Sequence, residues 1–391
     1  KTRGYISYLR GENPASFPIR LYPDVNNDSL CIDPETSKDK YHNKDIFDND
    51  IDDDDKIQFL KLYKANFEGK QLSKYNSSID SLSKSIGLTK ISKLKQLSNI
   101  KYPINNITKG FDKTFNLKNG KYSYKDPTLP FLDEKHIKIF SIKIHNIIQS
   151  AIKSEGIIFI FSQFLWNGLV PIALALEHAG FKRYDDNDLL NYDKKNEAFH
   201  IGKNEKDKIN LLIKKSKIPK DEKFNQARYV LLTGNKNLSP NNNAEIDALT
   251  SDKNISGEVV KIVLGSDKTA EGLDFKRIRE IHVLEPWYNL NKMEQVIGRG
   301  IRFCSHEELD KEKRNVTVYL HAGFLNDKDT VDIYQYKEAE KKAREIGKIE
   351  SILKNNAIDC YLNNDINHIK EDDVNNITLK TSRNVNKIIK P

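Results

Sequence analysis

The sequence predicts an α/β fold: an open, mainly parallel sheet with helices on both faces. Three observations carry this. A short apolar run bounded by turn signals lies at 157–161, and further strand-length segments rich in apolar residues recur at 229–233, 259–264, 280–285 and 316–320. Runs of that length without polar alternation mark strands buried on both faces. Segments with helical spacing lie between several of them, among them 207–215 and 290–302. Hydrophobic residues make up 38% of the 391, which is compatible with a globular core, and the length admits two ordinary domains.

Taken in order, residues 1–25 are ordinary in composition, with Tyr5, Tyr8, Phe17, Leu21 and Tyr22 as candidate anchors. From 26 to 133 Asn, Asp, Ser and Lys dominate, and 48–55 is an acidic run. Only short apolar patches such as 57–62 interrupt it, so the stretch reads as a polar linker or insertion with sparse helices, partly disordered. Order returns at Glu134. Ile137, Phe140, Ile144, Ile147, Ile148 and Ala151 fall at helical spacing up to Ser154. Gly156 then opens the first buried strand. A helix over 169–179 stops at Gly180, a residue suited to a left-handed cap. The α/β domain is assigned to 134–325. Over 326–391 a charged helical extension is expected, with Val331, Tyr334, Ala339, Ala343, Ile346, Ile349 and Leu353 roughly on one face. The polar tail from Asn363 is expected to fray.

Composition bounds the function classes. The net charge of +8 permits a phosphate partner without demanding one. Cys31, Cys304 and Cys360 are far apart and lack metal-ligand or disulfide-framework spacing, so no metal site is expected and the default setting is reducing and intracellular. No apolar stretch approaches a membrane span, no signal peptide is visible, and no membrane partner is expected. The chain opens at Lys1 without an initiator Met, as a piece of a longer protein would.

Parallel α/β sheets bind ligands outside the carboxyl ends of their strands. Two segments with chemistry follow strands. Gln295-Val296-Ile297-Gly298-Arg299-Gly300-Ile301-Arg302 has the form Q-x-x-G-R-x-x-R. On a helix, Gln295, Arg299 and Arg302 share a face. Two guanidiniums there can meet a polyphosphate, because each is always charged and presents a planar fork of donors. Gly298 allows another backbone to approach. The plainer reading is a surface helix whose arginines pair with carboxylates. Ser266 to Phe275 follows the 259–264 strand and carries hydroxyls, a glycine and Asp274. Hydroxyls and free N–H groups suit a phosphate backbone, and a carboxylate can accept from a ribose hydroxyl. Here the plainer reading is a helix cap at Ser266 or Asp267.

In this order and separation, the two segments resemble motifs V and VI of the C-terminal RecA-like domain of superfamily 2 helicases. Gly156 to Phe164, a strand ending in Ser162-Gln163-Phe164, is similar to motif IV. The closest flavour is that of large DNA viruses: poxvirus early transcription factor small subunits, nucleoside triphosphate phosphohydrolase I and giant-virus relatives. Glu271 to Phe275, Glu285-Pro286-Trp287-Tyr288-Asn289, Ser305-His306 with Lys313 to Val316, and Gly4 to Pro14 carry that likeness. Motif V departs from the DEAD-box pattern, with Glu271 where the RNA-helicase group often has Arg.

The resemblance implies a RecA-like, three-layer second helicase lobe. It implies that Arg299 and Arg302 contact the γ-phosphate of ATP on the other lobe, with Gln295 beside them. Gly272 and Asp274 would line the ribose side. Ser266, Thr269, Ser162 and Phe164 would face DNA or RNA. No G-x-x-x-x-G-K-[ST] loop or D-E-x-[DH] box occurs in the chain. The phosphate cradle and the Mg²⁺ ligands would then belong to an N-terminal RecA-like lobe, in cis or in trans, and this chain alone would be inactive. Viral transcription machinery is a further implied partner. The alternative is a non-catalytic nucleic-acid-binding or assembly subunit of a viral transcription complex that keeps the fold. His282 reads as a core histidine, and His306 has no visible partner. Trp166 and Trp287 could stack on bases or simply pack.

Overall fold

The computed structural model describes residues 16–23, 30–34, 42–80, 86–193, 195–204, 209–267, 274–357, 377–383 and 386–389. In chain order the strands are β1 (Ile19–Leu21), β2 (Cys31–Ile32), β3 (Leu62–Asn66), β4 (Phe115–Lys118), β5 (Lys121–Tyr124), β6 (Ile157–Phe161) and β7 (Lys182–Arg183). They continue as β8 (Phe199–Asn204), β9 (Ile209–Lys214), β10 (Arg228–Leu232), β11 (Ile262–Gly265), β12 (Ile278–Val283), β13 (Asn315–Phe324), β14 (Ile377–Lys380) and β15 (Asn386–Ile389). The helices are α1 (Gly69–Ile79), α2 (Leu88–Asn99), α3 (Gly110–Thr114), α4 (Ile137–Phe140), α5 (Ile142–Lys153), α6 (Val170–Ala179), α7 (Asn242–Thr250), α8 (Leu290–Ile297) and α9 (Val331–Asn355).

The main sheet runs β2-β3-β13-β12-β6-β11-β10-β7, with β1 beside the first half of β13. Every pairing in it is parallel except β2 with β3. The α/β architecture with a parallel sheet is therefore as expected. Alternate residues feed two cores. Ile158, Ile160, Tyr229, Leu231, Ile262 and Leu264 pack under α5 and α6. Ile157, Phe159, Phe161, Val230, Leu232 and Val263 pack with Met293, Val296 and Ile297 of α8 and Ile333, Tyr336 and Ala339 of α9. Covering both faces is what demands unbroken apolar strands.

Several elements differ from expectation. Of the helix expected over 207–215, the described residues Ile209–Lys214 form β9, which pairs antiparallel with β8. Its apolar run is too short for its period to choose between helix and strand, and the partner strand decides. The helix expected from Glu134 is broken at Ser141, whose extended backbone separates α4 from α5 and whose hydroxyl caps α5 at Ile144 N. α8 ends at Ile297 rather than running on to Arg302. On α9, Val331, Ile333, Tyr336 and Ala339 are buried, while Ile346, Ile349 and Ile352 are exposed.

The largest difference lies in 26–133. Its described residues are not a linker. β3 adds to the main sheet by pairing with the second half of β13. Tyr102, Phe111, Phe115, Tyr122, Tyr124 and Phe131 are buried together, with ring centroids about 5–6 Å apart. The stretch is poor in apolar residues on average, but it concentrates large aromatic ones, each of which buries far more surface than its share of the composition suggests.

Candidate functional site

Register aligns three strand ends. Phe161 of β6 stands between Gly265 of β11 and Val283 of β12. The chain passes from β11 to β12 across β6, so the loops after these strands flank a topological switch point, the usual ligand crevice of such sheets. Ser162 and Gln163 leave β6, Ser266 and Asp267 leave β11, and Leu284 and Glu285 leave β12.

Glu285 organises this edge. Its carboxylate is buried and accepts from Ser162 Oγ at 2.9 Å, Asn99 Nδ2 at 2.9 Å and the Gln163 amide. Burial pushes its carboxyl up from the usual range, and Lys143 and those donors oppose the shift. Asn99 ends α2, so the inserted segment is tied to the loops after β6 and β12. Lys95, also on α2, is buried. Its ammonium lies 5.9 Å from the Phe164 ring, 5.7 Å from Trp287 and 5.5 Å from Tyr288. Burial holds it below the usual lysine range, with Glu285 and Asp332 pulling the other way. Beneath them the fully buried Lys143 pairs with Asp332 at 2.7 Å and donates to Leu284 O at 2.9 Å.

This corrects one expectation. Ser162 is fully buried and its hydroxyl is committed to Glu285, so it does not face a nucleic-acid backbone. Phe164 is half-buried against Lys95. Ser266 is 7% exposed and borders an open cleft with Gln163, Leu165, Gly234, Asn235, Lys236 and Asp267. Thr269 and Gly272 lie outside the described residues. Trp166 packs on Phe111 at 5.0 Å and Tyr122 at 6.3 Å.

The arginines occupy the other end of β12. After β12 the chain turns into α8, which packs back over the sheet, and Gly300 comes to rest on Ile278 and Ile281. A Cβ on Gly300 would stand 3.0–3.2 Å from their side chains, so this glycine, rather than Gly298, permits the close approach. Phe275 N donates to Arg299 O at 3.0 Å, which fastens the turn to the residues entering β12. Arg277 N donates to Ser305 O, and His306 Nε2 donates to Ile278 O at 2.6 Å while its Nδ1 meets Ser305 Oγ at 2.8 Å. His306 thus has partners that its sequence context did not reveal. Burial holds its imidazole down at about 4, the Ile278 carbonyl opposing, so the ring is neutral in the fold.

Gln295 is exposed on α8, and Arg299 and Arg302 follow in the turn beyond it, both half-buried. The three therefore do not share one helix face. Arg302 Nε pairs with Asp274 at 2.9 Å, where Asp274 is 67% exposed. The Arg299 guanidinium has no ion-pair partner among the described residues. Strand length separates this turn from the Glu285 edge: Ile278 to Val283 spans roughly 17 Å. Ser266 stands at the crevice end of this sheet, and Asp274 stands beside Arg302 at the other. Among the described residues no group of three or more His, Cys, Asp or Glu could hold a metal ion, and no helix is long and apolar enough to cross a membrane.

No family model matches the chain. A protein of Acanthamoeba polyphaga mimivirus named as an ATP-dependent RNA helicase is 29% identical over 95% of this chain and 34% of its own length. A termination factor NPH-I homologue of African swine fever virus is 30% identical over 57% of this chain and 33% of its own. A helicase of Invertebrate iridescent virus 3 is 34% identical over 37% of this chain and 15% of its own. The chain thus spans about a third of the length of the first two relatives. In shape, the C-terminal part of the Fun30 ATPase domain is similar with a TM-score of 0.37 and 10% identity, covering 71% of this chain and 89% of that one. That likeness is too slight to bear on function. By sequence, the chain is similar to proteins of large DNA viruses that are named as helicases or as an NPH-I termination factor homologue.

Proposed function

We propose that this chain acts as the second lobe of an ATP-dependent nucleic-acid helicase or translocase, presenting Arg299 and Arg302 to ATP held by a first lobe. The observation that carries the reading is the arginine turn. It is fixed from below by Gly300 on β12 and by the Phe275–Arg299 backbone bond, yet among the described residues it leaves one guanidinium without an ion pair and the other on an exposed carboxylate. A rigid backbone carrying weakly committed guanidiniums suits charge that develops on a transferring phosphoryl group. Arg302 would exchange Asp274 for that charge at little cost, because exposed ion pairs contribute only about 0–1 kcal/mol. Magnesium would neutralise phosphate charge and is assigned to the first lobe. Gln295, exposed on the last turn of α8, stands beside the arginines on the side the other lobe would approach. Gly272 and Asp274 are assigned to the ribose side.

Ser266 and Thr269 are assigned to the track; of the two, Ser266 is described and stands at the crevice end of the sheet, away from the arginine turn. The mimivirus relative is named as an RNA helicase, which makes single-stranded RNA the first track to test, and the NPH-I homologue's name as a termination factor points to transcription as the setting. The test is ATPase activity, with and without single-stranded RNA or DNA, of a protein carrying both lobes. Arg299→Ala should remove turnover and leave nucleotide-free nucleic-acid binding unchanged. Ser266→Ala with Thr269→Ala should leave basal turnover and reduce its stimulation. The 391-residue chain alone should not hydrolyse ATP above background. Identical defects in the two variants would end the division of labour, and silence of both would favour a non-catalytic assembly subunit.

A further inference from the structure

Charge is distributed unevenly between the two parts of this molecule. Between Gly69, where α1 begins, and Lys125, just past β5, there are twelve lysines, two aspartates and no glutamate or arginine. The net charge of that segment is +10 against +8 for the whole chain, so the remaining residues carry −2. Elsewhere several lysines are paired, among them Lys292 with Asp267, Lys313 with Glu155, Lys328 with Asp48, Lys337 with Asp329 and Lys341 with Asp55. Inside the segment, Lys70, Lys90, Lys93, Lys109, Lys113, Lys118 and Lys125 are exposed and none has an ion pair among the described residues. A run of lysines is usually a solvated face. This one is folded onto the sheet edge that the function needs. Tyr102 of the segment donates its hydroxyl to Trp166 O, Asn167 Nδ2 donates to Ile107 O at 3.0 Å, and Lys95 and Asn99 are buried among Phe164, Trp287 and Glu285.

We infer that the 69–125 module is a nucleic-acid-binding surface that extends the track beyond the loops after β6 and β11, gripping the phosphate backbone through Lys90, Lys93, Lys109 and Lys113. It rests on the nucleic-acid reading above and assigns the electrostatic share of affinity to residues outside the motifs. Lys90 and Lys93 are one helical turn apart on the exposed side of α2, while Lys95 anchors the same helix. Lys109 caps α3 and Lys113 lies in its last turn, while Phe111 of the same helix packs against Trp166. Exposed lysines on two helices of one module suit a polyanion, and the half-buried rings of Phe164 and Trp287 beside Lys95 suit a single strand.

The test measures binding of a 30-nucleotide single-stranded RNA to the 391-residue chain across a salt series. Replacing Lys90, Lys93, Lys109 and Lys113 with Gln should weaken binding about tenfold or more and flatten the dependence of log K on log salt by about 0.7 per lost phosphate contact. A control with the same charge change, Lys311, Lys342, Lys348 and Lys354 to Gln, should retain the wild-type slope. Equal losses in both variants, or no loss in the first, would overturn the inference while leaving the helicase reading to its ATPase test. Absence of binding by the wild-type chain would likewise overturn the inference, and the helicase reading would then stand or fall on the ATPase of the two-lobed protein alone. A parallel arm with polyglutamate separates an acidic protein partner: dependence on these lysines there, and none with RNA, would overturn the assignment to nucleic acid.

Discussion

Glu285 and Arg302 are both charged, and both lie within a few residues of helix α8, yet the fold treats them oppositely. Glu285 is 1% exposed and held by Ser162, Asn99 and Gln163, above the fully buried Lys143–Asp332 pair. Arg302 is 43% exposed and meets one carboxylate that is itself 67% exposed. Charges inside the crevice edge are spent on fixing loops, since a buried charge is tolerated only when every partner is in place. Charges on the turn beyond α8 are left weakly bound, which is what a group destined for another molecule requires. The comparison teaches where to look for chemistry: in side chains whose backbone is fixed and whose charge is not.

The strongest way to break it is Arg299→Ala in a two-lobed protein. Turnover should fall by about 10³–10⁵-fold, with melting temperature unchanged. Arg299→Lys should rescue poorly, because a point charge cannot reproduce the guanidinium fork. A variant that loses stability instead of turnover would place Arg299 with the structural charges.

Next is Asp332→Ala, which strands the Lys143 ammonium in the core. Chemical denaturation should show a loss of about 3–5 kcal/mol. Neutralising both partners, as Lys143→Met with Asp332→Asn, should recover much of it. If the single variant costs no more than an exposed pair would, the buried network is not what holds the edge.

A smaller effect sharpens the role of His306, which locks the turn to β12. In the unfolded chain this imidazole takes up a proton near its ordinary value of about 6.5. In the fold it stays neutral down to about 4. Between those values the unfolded state binds more protons, so stability falls as pH is lowered, by on the order of 2 kcal/mol at pH 5 from this group. The stability difference between wild type and His306→Asn should narrow as pH drops from 7 to 5. Taking the difference isolates His306 from Glu177, whose carboxyl burial pushes up to about 7 and whose contribution has the opposite sign. A pH-independent difference would mean that the ring titrates normally.

The smallest expected effect is Asp274→Ala. Removing an exposed partner of Arg302 should change unfolding free energy by less than about 1 kcal/mol. A loss comparable to that of Asp332→Ala would erase the contrast between the two regions.

The sequence by itself determined the layered sheet. Five strand-length segments, the first of them apolar throughout, pointed to a covered parallel sheet, and each lies within two or three residues of an observed strand apart from the longer β13. The segment Gln295 to Arg302 was also legible, by its pattern of a glutamine and two arginines taken together with the Ser266 to Phe275 segment upstream. What only the tertiary structure decided was partnership. Residues 209–214 became β9 because β8 offered them a ladder. The stretch 26–133, judged on average polarity, folded because its few aromatic residues could meet one another and Trp166. Ser162 went inward because Glu285, 123 residues later, came to lie against it. Local pattern encodes which face of an element is apolar. It does not encode which distant carboxylate, ring or strand edge will arrive beside it, and that arrival separates a hydroxyl that binds a ligand from one that holds a loop.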